Sequence, residues 1–130
     1  MSLQVCIMAP DRVFWNEEAT EIILPTNTGQ MGVLKNHTAL ITGLDVGVML
    51  TRTGTEWTSM ALMGGFALVK DNNVTILVNE AELGSTIDAE KAETDYLAAK
   101  EALEKAETRK EKIEANLNFK RARARFQVNK

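Results

Sequence analysis

At 130 residues, with 45% hydrophobic and 25% charged positions, the chain has room for one ordinary domain or a small domain with an extension. Its single cysteine, Cys6, excludes an internal disulfide and fits a reducing compartment. The net charge of −3 is unevenly spread: residues 1–84 carry four basic and nine acidic residues, residues 85–108 three and seven, and residues 109–130 eight and two.

The first residues, Met1–Val5, show no basic region and no long apolar stretch, so no signal or transit peptide is expected. Leu3–Met8 is predicted as a strand stopped by Ala9-Pro10-Asp11, since Pro10 offers no N–H to a ladder. Cys6 lies in that apolar run and is expected to pack as a small hydrophobe. Val13–Trp15 and Thr20–Leu24 follow as short strands, the second ending before Pro25. Thr26-Asn27-Thr28-Gly29 is a turn cluster, and Gly29–Leu34 a glycine-bracketed strand. Lys35-Asn36-His37 is a polar loop.

Ala39–Leu44 and Val46–Thr51 are predicted as two strands around Asp45 and Gly47. Thr53-Gly54-Thr55 is a hairpin turn into Trp57–Leu62. Gly64-Gly65 is read as a tight turn before Phe66–Val69, and Lys70–Asn73 as another turn. Val74, Ile76 and Val78 alternate with Thr75, Leu77 and Asn79, giving a strand with two usable faces. Short strands at this spacing imply an antiparallel sandwich or barrel. The longest uncharged run near the middle, Trp57 to Val69, has 13 residues, well under the ~20 of a membrane span, so no direct membrane insertion is expected.

The chain changes character at Gly84. All eight glycines and both prolines lie at or before it, and the 46 residues beyond are rich in Ala, Glu, Lys and Arg. Two domains are expected: a β docking domain over 1–84 and a helical domain over 85–130. Asp88 is a good N-cap. Ala92, Tyr96, Ala99, Leu103 and Ala106 recur at coiled-coil spacing and form a narrow seam of mostly small residues. Further on, Ile113, Leu117, Ala124 and Val128 share one helix side, while Ala115, Phe119, Ala122 and Phe126 share the opposite side. Two stripes imply two alternative contacts, or a helix wedged between its partner helix and the β body. Glu107-Thr108-Arg109-Lys110 reads equally as a hairpin turn or as continuing helix.

No catalytic set is visible. His37 and Cys6 are the only residues of their kinds, and there is no Gly-x-Ser-x-Gly elbow, no phosphate loop and no ligand spacing for a metal. His37 reads as an exposed or capping side chain, or as an interface residue on a docking loop. Lys120, Arg121, Arg123 and Arg125 read as a solvated helix end, favoured by the macrodipole, or as a hook for an acidic protein segment. The acidic body and the lack of interleaved aromatics argue against nucleic acid as the partner.

Several longer stretches carry a resemblance. They are Glu21–Thr26, Gly29–His37, Ala61–Ala67, Asn73–Ala81 and the tail Arg121-Ala122-Arg123-Ala124-Arg125. Together they resemble the epsilon subunits of F-type ATP synthases, nearest the plastid or cyanobacterial form, along nearly the whole chain. The resemblance implies a sandwich of about ten strands followed by a two-helix antiparallel hairpin. It implies a non-catalytic rotor subunit of a proton-driven ATP synthase at the thylakoid membrane, peripheral, on its stromal or cytoplasmic side. The implied partners are the gamma subunit, the membrane c-ring and, through the C-terminal helices, the alpha and beta catalytic subunits.

By the same resemblance Gly29, Gln30, Met31, Gly32 and His37 face the ring and gamma. Bacterial members often have Glu where this chain has Gln30, so a neutral hydrogen bond is expected there. The hairpin in this family lies on the sandwich or extends toward the catalytic subunits, where it restrains ATP hydrolysis. Lys120, Arg121, Arg123 and Arg125 are the implied inhibitory cations. Some bacterial members bind ATP through Ile/Leu-Asp-x-x-Arg-Ala. The match here is Ile87-Asp88-Ala89-Glu90-Lys91-Ala92, and Lys91 lacks the planar fork that holds phosphate in two places. No cofactor is therefore expected, and a nucleotide-sensing module stands as the alternative reading.

Overall fold

Alternation of side chains sets the β domain. In β1 (Leu3–Ala9), Leu3, Val5 and Ile7 are fully buried, so Gln4 and Cys6 fall on the outward phase. Cys6 is thus half-buried on the outer face and does not join the core. The computed structural model describes residues 2–128, so Lys130, counted above among the cations, lies outside it.

The other elements are β2 (Arg12–Ala19), β3 (Glu21–Thr26), β4 (Gly29–Leu34), β5 (Leu40–Thr53), β6 (Glu56–Lys70), β7 (Asn73–Val78) and β8 (Ala81–Leu83). A 3-10 turn, Gly84–Thr86, leads to α1 (Ala89–Lys105) and α2 (Arg109–Gln127). The eight strands form a continuous ladder in the order β2-β1-β7-β6-β5-β3-β4, with β8 also on β6. It closes over one apolar core in which Ile7, Ile22, Leu24, Met49, Met60, Leu62 and Ile76 are fully buried. All pairings are antiparallel except that of β1 with β7, which is parallel.

The strand count differs from the expected ten for a physical reason. Asp45 and Gly64-Gly65 bend strands without ending them, so β5 and β6 each run through two of the expected strands. The first part of β6 pairs with β8 (Met60 opposite Leu83) and the second with β7 (Gly65 opposite Val78). At the bend Gly64 has φ +87 and Gly65 φ +155. Pro25 sits inside β3, where the β3–β5 register shifts between Ile23 and Thr26. Gly47 leaves room for it, because a Cβ there would lie 2.7 Å from Pro25 Cβ.

The helical region turns at residues 106–108. Ala106 is extended (ψ 131), and Thr108 caps α2 by accepting the Glu111 N–H at 3.1 Å. Glu111 reaches back to accept the Glu107 N–H at 3.2 Å. Thr-x-x-Glu is the capping-box pattern, a helix start signal that resolves the ambiguity of Glu107–Lys110 in favour of a turn. The seam is real: Tyr96 stacks on Phe126 (centroids 4.9 Å apart, planes 15° apart) and meets Phe119 at 5.5 Å. The Phe119–Phe126 stripe therefore faces α1. Ala124 and Val128, from the other stripe, pack with Ala61, Met63, Ile87 and Ala92 in a second, smaller core on the sandwich. The helix is wedged between α1 and the sheet, yet Ile113 and Leu117 stay 59% and 41% exposed.

Candidate functional site

Two surfaces stand out. The first is a sheet face. Ile41 on β5 lies opposite Leu68 on β6, and Phe66 on β6 lies opposite Leu77 on β7. Their inward neighbours Ala67, Val69 and Ile76 fill the core, so strand alternation turns these four side chains to solvent. Ile41 is 73% exposed and Phe66 62%. Single exposed apolar residues mean little, but strand register brings these four side by side across three strands, and they form one apolar patch of the kind that a partner covers. The sequence signal was present: both phases of Phe66-Ala67-Leu68-Val69 are apolar, which one core cannot satisfy.

The residues expected to face the ring and gamma fall on different elements. Gly29, Gln30, Met31 and Gly32 belong to edge strand β4, paired with Thr26 back to Ile23, and all but the half-buried Met31 are exposed. His37 lies beyond β4 in a loop that leans on the β6–β7 turn. There the Asn36 N–H donates to Asn72 Oδ1 at 2.6 Å, and His37 Nδ1 lies 2.8 Å from the Thr38 carbonyl. His37 shares a shallow depression with Asn36, Ala39, Asp71 and Asn72, and none of Gly29–Gly32 lines it.

The second surface joins hairpin and sandwich, and it separates the four basic tail residues. Lys120 Nζ lies 3.6 Å from Asp45 Oδ1 on β5. Arg125 Nε donates to Glu82 Oε2 on β8 at 2.8 Å, and Nη1 lies 4.0 Å from Asp95 Oδ2 on α1. Arg123 sits over the Phe119 ring at 5.3 Å. Arg121 is exposed and makes no ion pair among the described residues. The arm is thus seen folded on the sandwich, with two of its cations already matched.

The residues of the ATP-like motif have structural work in this arrangement. Asp88 caps α1 by accepting the Lys91 N–H at 3.2 Å, and Ile87 and Ala92 are buried in the second core. Lys91 is exposed. A cleft of about 260 Å³ beside the motif is lined by Arg121 and Arg125, but also by Glu80, Glu82 and Asp95. Three carboxylates beside two guanidiniums make a poor anion site. Among the described residues no group of three His, Cys, Asp or Glu is placed to hold a metal ion, and no helix is long and apolar enough to cross a membrane.

The fold and these surfaces define a class: a β-sandwich with an exposed apolar sheet face, followed by a charged two-helix hairpin. Comparison with known proteins names the family. The family model described as "ATP synthase, Delta/Epsilon chain, beta-sandwich domain" matches residues 2–84, and "ATP synthase, Delta/Epsilon chain, long alpha-helix domain" matches residues 85–130. An "ATP synthase epsilon chain, chloroplastic" of Tupiella akineta is 67% identical over 128 residues, covering 98% of both chains. The protein of that description from Nephroselmis olivacea is 69% identical over 128 residues, covering 98% of this chain and 96% of the relative. A chain from the Euglena gracilis mitochondrial ATP synthase shares the fold with a TM-score of 0.83 at 24% identity, over 95% of this chain and 78% of its own. The chain belongs to the delta/epsilon-chain family of ATP synthases, with the epsilon chains of plastid type, and is a non-catalytic subunit.

Proposed function

We propose that this chain is a central-stalk rotor subunit. Its sandwich joins gamma to the c-ring, and its helical arm restrains ATP hydrolysis when it leaves the sandwich for the alpha and beta subunits. The exposed Ile41–Phe66–Leu68–Leu77 face, continuous across three strands, carries this reading: it is apolar, built on paired strands and suited to a permanent partner. Gamma takes this face with the His37 loop beside it. The β3–β4 hairpin, with Gly29, Gln30, Met31 and Gly32, meets the ring, where the neutral Gln30 side chain gives a hydrogen bond. The complex sits at the stromal side of the thylakoid membrane, and the chain is peripheral to it.

Support for a movable arm comes from the contrast between its two attachments. Aromatic stacking holds α1 to α2, whereas a small cluster around Ala61, Met63, Ile87, Ala92, Ala124 and Val128, flanked by ion pairs, holds the hairpin to the sandwich. A docked element with little buried apolar area leaves easily.

The test is ATP hydrolysis by a gamma-containing catalytic complex, with the full chain and with a truncation after Gly84. Both should bind gamma, and only the full chain should slow hydrolysis. Equal inhibition by both, or no binding by either, would overturn the proposal.

A further inference from the structure

The arm touches the sandwich through one small apolar cluster, which also takes in Ile87 and has Phe126 packed against it. Ala92, Ala124 and Val128 meet Ala61 and Met63, with Val46 and Val48 at the margin. Ala124 sits between the two charged contacts. Helical geometry places Lys120 and Arg125, five residues apart, about 140° apart around the axis, one on either flank of Ala124. Lys120 reaches Asp45 at the bend of β5, and Arg125 reaches Glu82 on β8. The side chains of Arg125 and Glu82 are only 32% and 28% exposed, against 73% and 63% for the Lys105–Glu101 pair on the open face of α1. Water and salt screen the first pair far less than the second. Asp95, within the hairpin, lies 4.0 Å from the same guanidinium on the other helix.

We propose that Asp45 and Glu82 form an ionic latch that holds the arm on the sandwich through Lys120 and Arg125. This rests on the proposed second docked state of the arm, while the latch itself can be tested on the isolated chain.

The reporter is a thiol beneath the arm. Ala61 is fully buried under Ala124 and Val128, so in a Cys6→Ser background Ala61→Cys reacts with a thiol reagent only when the arm lifts. Asp45→Asn with Glu82→Gln should speed its labelling roughly three- to thirty-fold at low salt, the range expected from two partly exposed pairs. Salt at 0.5 M should speed labelling with the latch intact and have little effect once it is neutralised. The charge swap Glu82→Arg with Arg125→Glu should restore slow labelling. Ala67→Cys, buried in the main core, should label at one rate throughout and so separates arm lifting from unfolding.

Labelling of Ala61→Cys that ignores both the substitutions and the salt would overturn the latch. Hydrolysis assays with the same variants separate the two ideas. Faster labelling without stronger inhibition leaves the latch standing and removes the inhibitory role; unchanged labelling with intact inhibition does the reverse.

Discussion

Val128 closes on Gly84. A Cβ placed on Gly84 would lie 3.0 Å from Val128 Cγ2 and 3.0 Å from the Val128 carbonyl oxygen, with the Ser59 carbonyl at 3.2 Å. The residue where the chain turns from strand to helix therefore also receives the end of α2. Gly84→Ala should push Val128 outward by a few tenths of an ångström and weaken arm docking by about 1 kcal/mol, at the low end for overpacking. Urea denaturation of the sandwich should barely change, while thiol labelling beneath the arm rises about fivefold. A variant that labels as slowly as the parent would show that Val128 yields at no cost.

The four tail cations should separate in function. Arg121 and Arg123 make no ion pair among the described residues, so replacing both by Ala removes charge from the free arm without loosening the folded one. Hydrolysis by the catalytic complex should rise severalfold and affinity for gamma should hold. Arg125→Ala removes a cation from both docked states, because the residue also holds Glu82, so its effect on hydrolysis should be smaller than that of the Arg121/Arg123 pair. Equal effects from Arg121, Arg123 and Arg125 would count against unequal roles.

Phe66→Asp and Leu77→Asp should each weaken gamma binding by about 2 kcal/mol or more, as expected when a charge is buried in the middle of an apolar interface. Both side chains are exposed in the isolated chain, so its thermal stability should shift little. Surface plasmon resonance against gamma, with melting curves alongside, checks both halves of the expectation.

Much of the β body was legible. The strands over Leu3–Met8 and Val74–Asn79 and the hairpin at Thr53-Gly54-Thr55 are where the sequence places them, while the inward phase, which leaves Cys6 outside, took the structure to decide. Gly64-Gly65 misled, because glycine permits a bend within a strand as readily as a turn between strands. The place where the helices turn was written in Thr108-x-x-Glu111, a pattern easily passed over amid continuous helix formers. The arm's resting position was not legible. It depends on Lys120 finding Asp45 and Arg125 finding Glu82, and pairs 75 and 43 residues apart leave no local trace. The Ile41–Phe66–Leu68–Leu77 face needed the strand register before four scattered apolar residues became one surface.

The cleft beside Asp88 should not hold ATP at micromolar concentrations. Arg125 is engaged by Glu82 and Asp95, and Lys91, exposed on α1, does not line the cleft. Isothermal titration of the isolated chain with ATP and Mg²⁺ should give heats of dilution only. Glu82→Gln with Asp95→Asn removes two of three carboxylates and should raise any residual affinity. Saturable binding by the unmodified chain would show that the carboxylates rearrange, and would restore the nucleotide-sensing alternative.

Gly65 and Gly64 give the sharpest contrast in the sandwich. A Cβ at Gly65 would fall 2.0 Å from the Leu77 carbonyl oxygen and 2.8 Å from Val78 Cα, where β7 crosses the bend of β6. Backbone cannot yield as a side chain does, so Gly65→Ala should cost about 3 kcal/mol or more, a large part of an ordinary domain's stability. At Gly64 the nearest atoms to a built Cβ are 3.9 Å away, and only the left-handed φ of +87 opposes a side chain. Gly64→Ala should therefore cost about 1–2 kcal/mol. Urea midpoints for the two variants should fall in that order. Equal losses would mean that φ alone governs the bend and that the approach of β7 is free to relax.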